Sequence, residues 1–231
     1  TTLTGAAADL NTAYASSGIS GLNNEAVTLS DTSLSASVLN TLDSNTSGTI
    51  NASSIDTLSG AAADLNTAYT SAGISGLSDE AITLTDTSLA ASILNALDGH
   101  TSGTINAGSI NTLSGNAADL ITAYDSGGIT GLGNEAVNVN SGTASTSQAN
   151  ALAAATSAVV TATIADGDMA TLAGITETGN PTPSPSPTTV LLLLLSTPSM
   201  AKPPLPSMPA TSPHSPVQPQ TSTPPTPPTA T

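Results

Sequence analysis

The chain has no cysteine, tryptophan or phenylalanine, only three tyrosines, and one Lys with no Arg among its 231 residues. Each absence excludes a kind of chemistry. Without cysteine there are no disulfides, no thiolate zinc sites and no thiol nucleophile. With a single base there is almost nothing to replace phosphate counterions, so nucleic-acid binding is excluded, and with it attraction to an anionic membrane surface. Phosphoryl chemistry loses its usual cationic clamp. The longest strongly apolar run, Val190 to Leu195, is far short of the ~20 residues that span a bilayer. Thr1 opens no basic, apolar leader, so an export signal is expected elsewhere and the chain reads as a fragment.

What is present is unevenly placed. All 19 Gly lie at or before Gly179, and all 16 Pro at or after Pro181. All 16 acids precede Pro181, while Lys202 follows it, so residues 1–180 carry a formal charge of −16.

The segment from Thr1 to Asn180 is a tandem repeat. Thr2-Leu3-Thr4-Gly5 returns as Thr57-Leu58-Ser59-Gly60 and as Thr112-Leu113-Ser114-Gly115, a period of 55. Residues 2–56 and 57–111 are identical at 41 of 55 positions, and the third copy, 112–166, holds closely through Val137 before a partial unit runs to 180. Each copy is expected to form two strand-then-helix halves. Ala26-Val27-Thr28-Leu29-Ser30 alternates like a half-buried strand. Asp31-Thr32-Ser33 supplies N-cap residues for a helix carrying Leu34, Val38, Leu39 and Leu42 on one stripe. Thr49-Ile50-Asn51-Ala52 starts a second strand. Thr57 to Tyr69 gives a second helix with Leu58, Ala62, Leu65 and Tyr69 on its face, and Gly73 as its stop. Short strands separated by single helices favour parallel pairing, and stacked copies extend a common core. The expected fold is an α/β repeat solenoid of short parallel strands and short helices. The alternative is an all-β solenoid, against which the Ala-rich segment at Gly60 to Leu65 argues.

Residues 181–231 have the composition of a Pro/Ser/Thr-rich disordered tail. They also decode as the repeat read in another frame. Met has one codon, so Met200-Ala201 shifted by a base gives Gly and Met208-Pro209 gives Ala, eight apart, as are Gly99 and Ala107. With third bases free, Ser196 to Ala210 can parallel the stretch from Asn95 to Gly108. The expectation is a frameshifted repeat with no evolved role of its own, which DNA sequencing would settle.

Candidate sites are few. Asp31-Thr32-Ser33 and Asp86-Thr87-Ser88 resemble an aspartic-protease signature, but that chemistry needs two carboxylates brought together, and an N-cap role accounts for both. Glu25, Glu80 and Glu135, with Asp9, Asp64 and Asp119, form ladders that could offer oxygens to Ca²⁺. The glycine-rich calcium nonapeptide is missing, however, and solvated faces or helix ends are the simpler expectation. His100 replaces Asn45 and is expected on the surface. Thr28, Ser30 and Thr49, with Thr83, Thr85 and Thr104, could form hydroxyl rows suited to ice or crystalline polysaccharide, although Thr is also a good strand residue. No catalytic, cofactor-binding or metal-binding residue is assigned, and Gly18-Ile19-Ser20-Gly21 is no nucleophile elbow.

Ala26-Val27-Thr28-Leu29-Ser30-Asp31-Thr32-Ser33, Leu39-Asn40-Thr41-Leu42-Asp43 and Leu58-Ser59-Gly60-Ala61-Ala62-Ala63-Asp64 resemble the tandem repeats of giant secreted and cell-surface proteins of marine cyanobacteria, among them surface proteins of swimming motility. The resemblance implies an extracellular structural or adhesive segment without enzymatic activity. Its partners would be neighbouring repeats of the same chain and cell-surface polysaccharide or other surface proteins; no family site residue transfers. The expected function is a passive spacer, and the alternative is a calcium- or carbohydrate-binding adhesin module.

Overall fold

A computed structural model describes residues 1–176. The expectations for the tail and its reading frame lie outside the described residues. The described chain is an α/β solenoid in which short helices alternate with strands of three open, parallel-only sheets.

The first sheet holds β1 (Thr2–Gly5), β2 (Ala26–Leu29), β4 (Ile50–Asn51) and β6 (Ile74–Ser75). A second holds β3 (Ser33–Ser35), β5 (Thr57–Gly60), β7 (Ala81–Leu84), β9 (Ile105–Asn106) and β11 (Ile129–Thr130). The third holds β8 (Ser88–Ala90), β10 (Thr112–Gly115), β12 (Ala136–Val139) and β13 (Val160–Thr161). Between them run α1 (Ala7–Ala15), α2 (Ala36–Asn45), α3 (Ala62–Thr70), α4 (Ala91–Asp98), α5 (Ala117–Asp125) and α6 (Thr146–Ala155), each packed on the next, with a short α7 (Met169–Leu172) after them.

Sheet and sequence follow different periods. In the second sheet Leu34 pairs with Leu58, Leu58 with Ile82, Ile82 with Ile105 and Ile105 with Ile129, so the partners' numbers differ by 24, 24, 23 and 24. Two steps therefore fall seven or eight positions short of the repeat period of 55. That shortfall matches the offset between consecutive strands of one coil, such as β2 from Ala26 and β3 from Ser33. Each sheet slips by one strand position every two coils, and a new sheet opens beside it. One copy is thus two coils, and its two helices are spaced unevenly, with starts at Ala7, Ala36 and then Ala62.

The core lies between the helices and the inward row of each sheet. Leu34, Leu58, Ile82 and Ile105 are buried, as are Leu89, Leu113, Val137 and Val160. Each of α1 to α6 offers residues three apart, such as Ala36, Leu39 and Leu42, or Ala62, Leu65 and Ala68. Small Ala at the helix start keeps helix and sheet close. Burying a Leu side chain contributes about 2 kcal/mol, and the same set recurs in every coil.

Several expected boundaries shift. Leu34 and Leu58 belong to β3 and β5 rather than to helices, because a strand runs directly into each helix start. Thr57–Gly60 therefore pairs with β3 and β7, and the helix begins only at Ala62. Helix α3 ends at Thr70, and Gly73 follows its cap, where an added Cβ would strike Asp43. Gly76 and Gly131 carry φ of +86° and +85° and approach the backbone at Ser53 and Gly108 of the preceding rung, so no side chain fits there.

Candidate functional site

With no Lys or Arg in residues 1–176, carboxylates find their partners among backbone N–H groups and hydroxyls. Three ladders of polar side chains tie successive coils together.

The first is a buried carboxylate node that recurs once per copy. Glu25, Glu80 and Glu135 are 7%, 1% and 0% exposed, which corrects the expectation that they face solvent. Glu25 Oε2 accepts from the N–H groups of Asn23 and Asn24, and Glu135 accepts from those of Gly133 and Asn134. Glu80 Oε1 accepts from Ser78 N–H at 3.1 Å. A tyrosine eleven positions earlier closes each node. Tyr69 Oη donates to Glu80 Oε2 at 3.0 Å, Tyr124 donates to Glu135, and Tyr14 lies 3.5 Å from Glu25 Oε2. Thr46, Thr101 and Thr156 donate to the backbone carbonyls of Glu25, Glu80 and Glu135 from the following strand-to-strand crossover.

The electrostatics follow from this packing. Burial raises the Glu25 pKa, but the backbone N–H donors outweigh it and hold the carboxyl below its usual range. Burial, followed by the adjacent Glu80 charge and hydrogen bond, drives the Tyr69 phenol well above its usual range. Tyr124 is raised in the same way by burial and by Glu135. Tyr69 and Tyr124 stay protonated and donate.

The second ladder caps helices from the next coil. Ala6 and Ala61 make no side-chain cap at the starts of α1 and α3. Asp31 Oδ2 instead accepts from Ala7 N–H at 2.8 Å, and Asp86 Oδ2 from Ala62 N–H at 2.7 Å. Asp166 does the same for Thr146. These aspartates do cap, but they cap the helix of the coil before them, not the helix that follows them in sequence. The reason is geometric: β3 and β8 separate them from α2 and α4. The aspartates of the two protease-like triplets therefore each meet an N–H donor rather than another carboxylate.

The third ladder is of asparagines. Asn40 Nδ2 donates to the Asp64 carbonyl, Asn95 to that of Asp119 and Asn150 to that of Gly174, all at 2.9 Å. Asn11 reaches the Val38 carbonyl at 3.2 Å. Asp9, Asp64 and Asp119 themselves sit in first helical turns, where the helix dipole favours an anion. Sequence reading did not assign the tyrosine, threonine and asparagine positions. Their signal was their own recurrence with the repeat, visible in Tyr14, Tyr69 and Tyr124.

The remaining candidates separate. His100 is half-buried and stacks on Tyr69 with ring centroids 5.5 Å apart. Thr28 and Thr83 point outward but occupy different sheets, because rows across a sheet follow the pairing of coils and not the repeat. The actual row of the first sheet is Thr4, Thr28, Asn51 and Ser75. Ser75 Oγ donates to the Ile50 carbonyl, so part of that row is engaged along the stack. Among the described residues no three His, Asp or Glu side chains cluster to hold a metal ion, and no helix is long and apolar enough to cross a membrane.

Compared with family models, curated proteins and solved structures, the chain matches none.

Proposed function

We propose that this chain is a non-catalytic structural spacer, a segment of a very large extracellular or cell-surface repeat protein. One observation carries the reading: Glu25, Glu80 and Glu135, the acids that recur with the repeat and are buried, bind backbone N–H groups and a tyrosine rather than facing an open site. These carboxylates order their own turn, while Thr46, Thr101 and Thr156 on their backbone carbonyls, with Asp31 and Asp86, hold one coil to the next. A stack built this way grows by adding copies, and each contributes its own core and its own ties. The acidic surface repels similar surfaces, and salt of seawater strength screens that repulsion strongly.

Length is the property such a segment supplies. One copy is two coils, so it advances the stack by about 10 Å at the usual strand spacing. Inserting a further copy of residues 57–111 between copies should lengthen the particle by that amount, with an unchanged cross-section, in small-angle X-ray scattering. An unchanged maximum dimension, or the much larger increment of beads on a string, would contradict the spacer reading. Antibodies against the repeat labelling intact cells of the source organism would support the surface location, and labelling only after permeabilisation would count against it.

A further inference from the structure

The chain contains two Asn-x-Ser/Thr triplets in which x is not Pro, the acceptor pattern for N-linked glycans: Asn45-Thr46-Ser47 and Asn51-Ala52-Ser53. The fold treats them differently. Asn45 is half-buried, its Nδ2 donates to Asn11 Oδ1 at 3.0 Å, and Thr46 is buried with its hydroxyl on the Glu25 carbonyl. A glycan there would displace a tie between α1 and α2. Asn51 is exposed at the end of β4, on the outward row between Thr28 and Ser75. Its Oδ1 accepts from Ser53 N–H at 3.1 Å, and its Nδ2 takes part in no hydrogen bond among the described residues. Ser53 is exposed as well. The reacting nitrogen and the required hydroxyl both face solvent.

The second copy holds a matched control. Asn106 lies at the end of β9 with Oδ1 accepting from Gly108 N–H at 3.0 Å, the same geometry, but Gly108 stands where Ser53 stands and the triplet is broken. His100 likewise breaks the counterpart of the Asn45 triplet.

We infer that Asn51 is a site of N-glycosylation that the folded solenoid accommodates, and that Asn45 is not. The donor is a lipid-pyrophosphate-linked oligosaccharide, and the catalyst is a separate oligosaccharyltransferase. Asn51 Nδ2 attacks the anomeric carbon and the N–C bond forms. The C–O bond to pyrophosphate breaks, the lipid pyrophosphate leaves with the electron pair, and the amide proton passes to a base on the transferase. Natural occurrence rests on the extracellular reading above and on a source organism that carries such a transferase.

The test does not depend on that reading. The full chain is expressed behind a secretory signal in a eukaryotic host, and glycans are counted by mass before and after peptide N-glycosidase, in both lysate and medium. The expected counts are one for the wild type, none for Asn51→Gln or Ser53→Ala, one for Asn45→Gln and two for Gly108→Ser. An unmodified Asn51 in the wild-type chain, or a glycan that survives Asn51→Gln, would overturn the inference. Failure of surface labelling on the source cells would instead count against the extracellular reading alone.

Discussion

The second and third copies cap the starts of their helices in two ways. Helix α3 of the second copy begins after Ala61 and takes its cap from Asp86 in the next coil. Helix α5 of the third begins after Asn116, whose Oδ1 accepts from Asp119 N–H at 2.8 Å, and the position equivalent to Asp86 is Ser141. The two caps meet different donors, the first N–H of α3 for Asp86 and the third N–H of α5 for Asn116, and α6 has both kinds, from Asp166 and Ser145. The exposed N–H groups at a helix start are the fixed requirement, and the residue that meets them can move between coils.

The largest effect of substitution is expected where the copies do not differ. Leu65→Ala and Leu120→Ala each empty a fully buried site and should cost about 2–5 kcal/mol in chemical denaturation, equally in both copies. Glu80→Ala and Glu135→Ala strand buried N–H and phenol donors and should each cost about 1–3 kcal/mol, measured in the same way.

Asp86→Ala removes the cross-coil cap and should cost about 1 kcal/mol. Adding Ala61→Asn, the third copy's solution, should recover most of it. Asn116→Ala should behave like Asp86→Ala and be rescued by Ser141→Asp. Lack of rescue in either direction would break the proposed equivalence.

The smallest effect is the pH dependence. Tyr69 and Tyr124 have raised pKa values in the fold, so their contribution is complete below about 10, the unfolded phenol value, and is lost as pH rises beyond it. Glu25 has a lowered pKa, so its contribution is present above about 4.3 and fades as pH falls below that. Thermal unfolding across pH, with Tyr69→Phe and Tyr124→Phe removing the alkaline limb, checks both signs.

The fold class was legible because the repeat is nearly perfect and its apolar spacing changes between strand and helix. Ala26 to Leu29 and Ile50-Asn51 were visible as strands for that reason. The short β3 and the start of β5 were not, since Leu34 and Leu58 also fit a helical stripe and only pairing between coils separates the two readings. The step between paired strands was hidden for the same cause: it is a property of hydrogen bonding between rungs, while the sequence displays the unit of duplication. Burial of Glu80 and Glu135 could not be inferred from a carboxylate in a polar turn, because it depends on N–H groups folded over it and on a tyrosine eleven positions away. Asp31 and Asp86 were recognisable as caps but not as caps for the preceding coil.

The central claim is that the buried recurring acids Glu25, Glu80 and Glu135 are engaged by N–H groups and tyrosines within the stack rather than by a metal ion. Thermal unfolding of the full chain in EDTA and in millimolar Ca²⁺ at constant ionic strength tests it directly, since a ligand that binds only the folded state must raise the midpoint. The account predicts the same midpoint in both conditions; a large Ca²⁺-dependent rise would contradict it and favour the calcium-binding adhesin module.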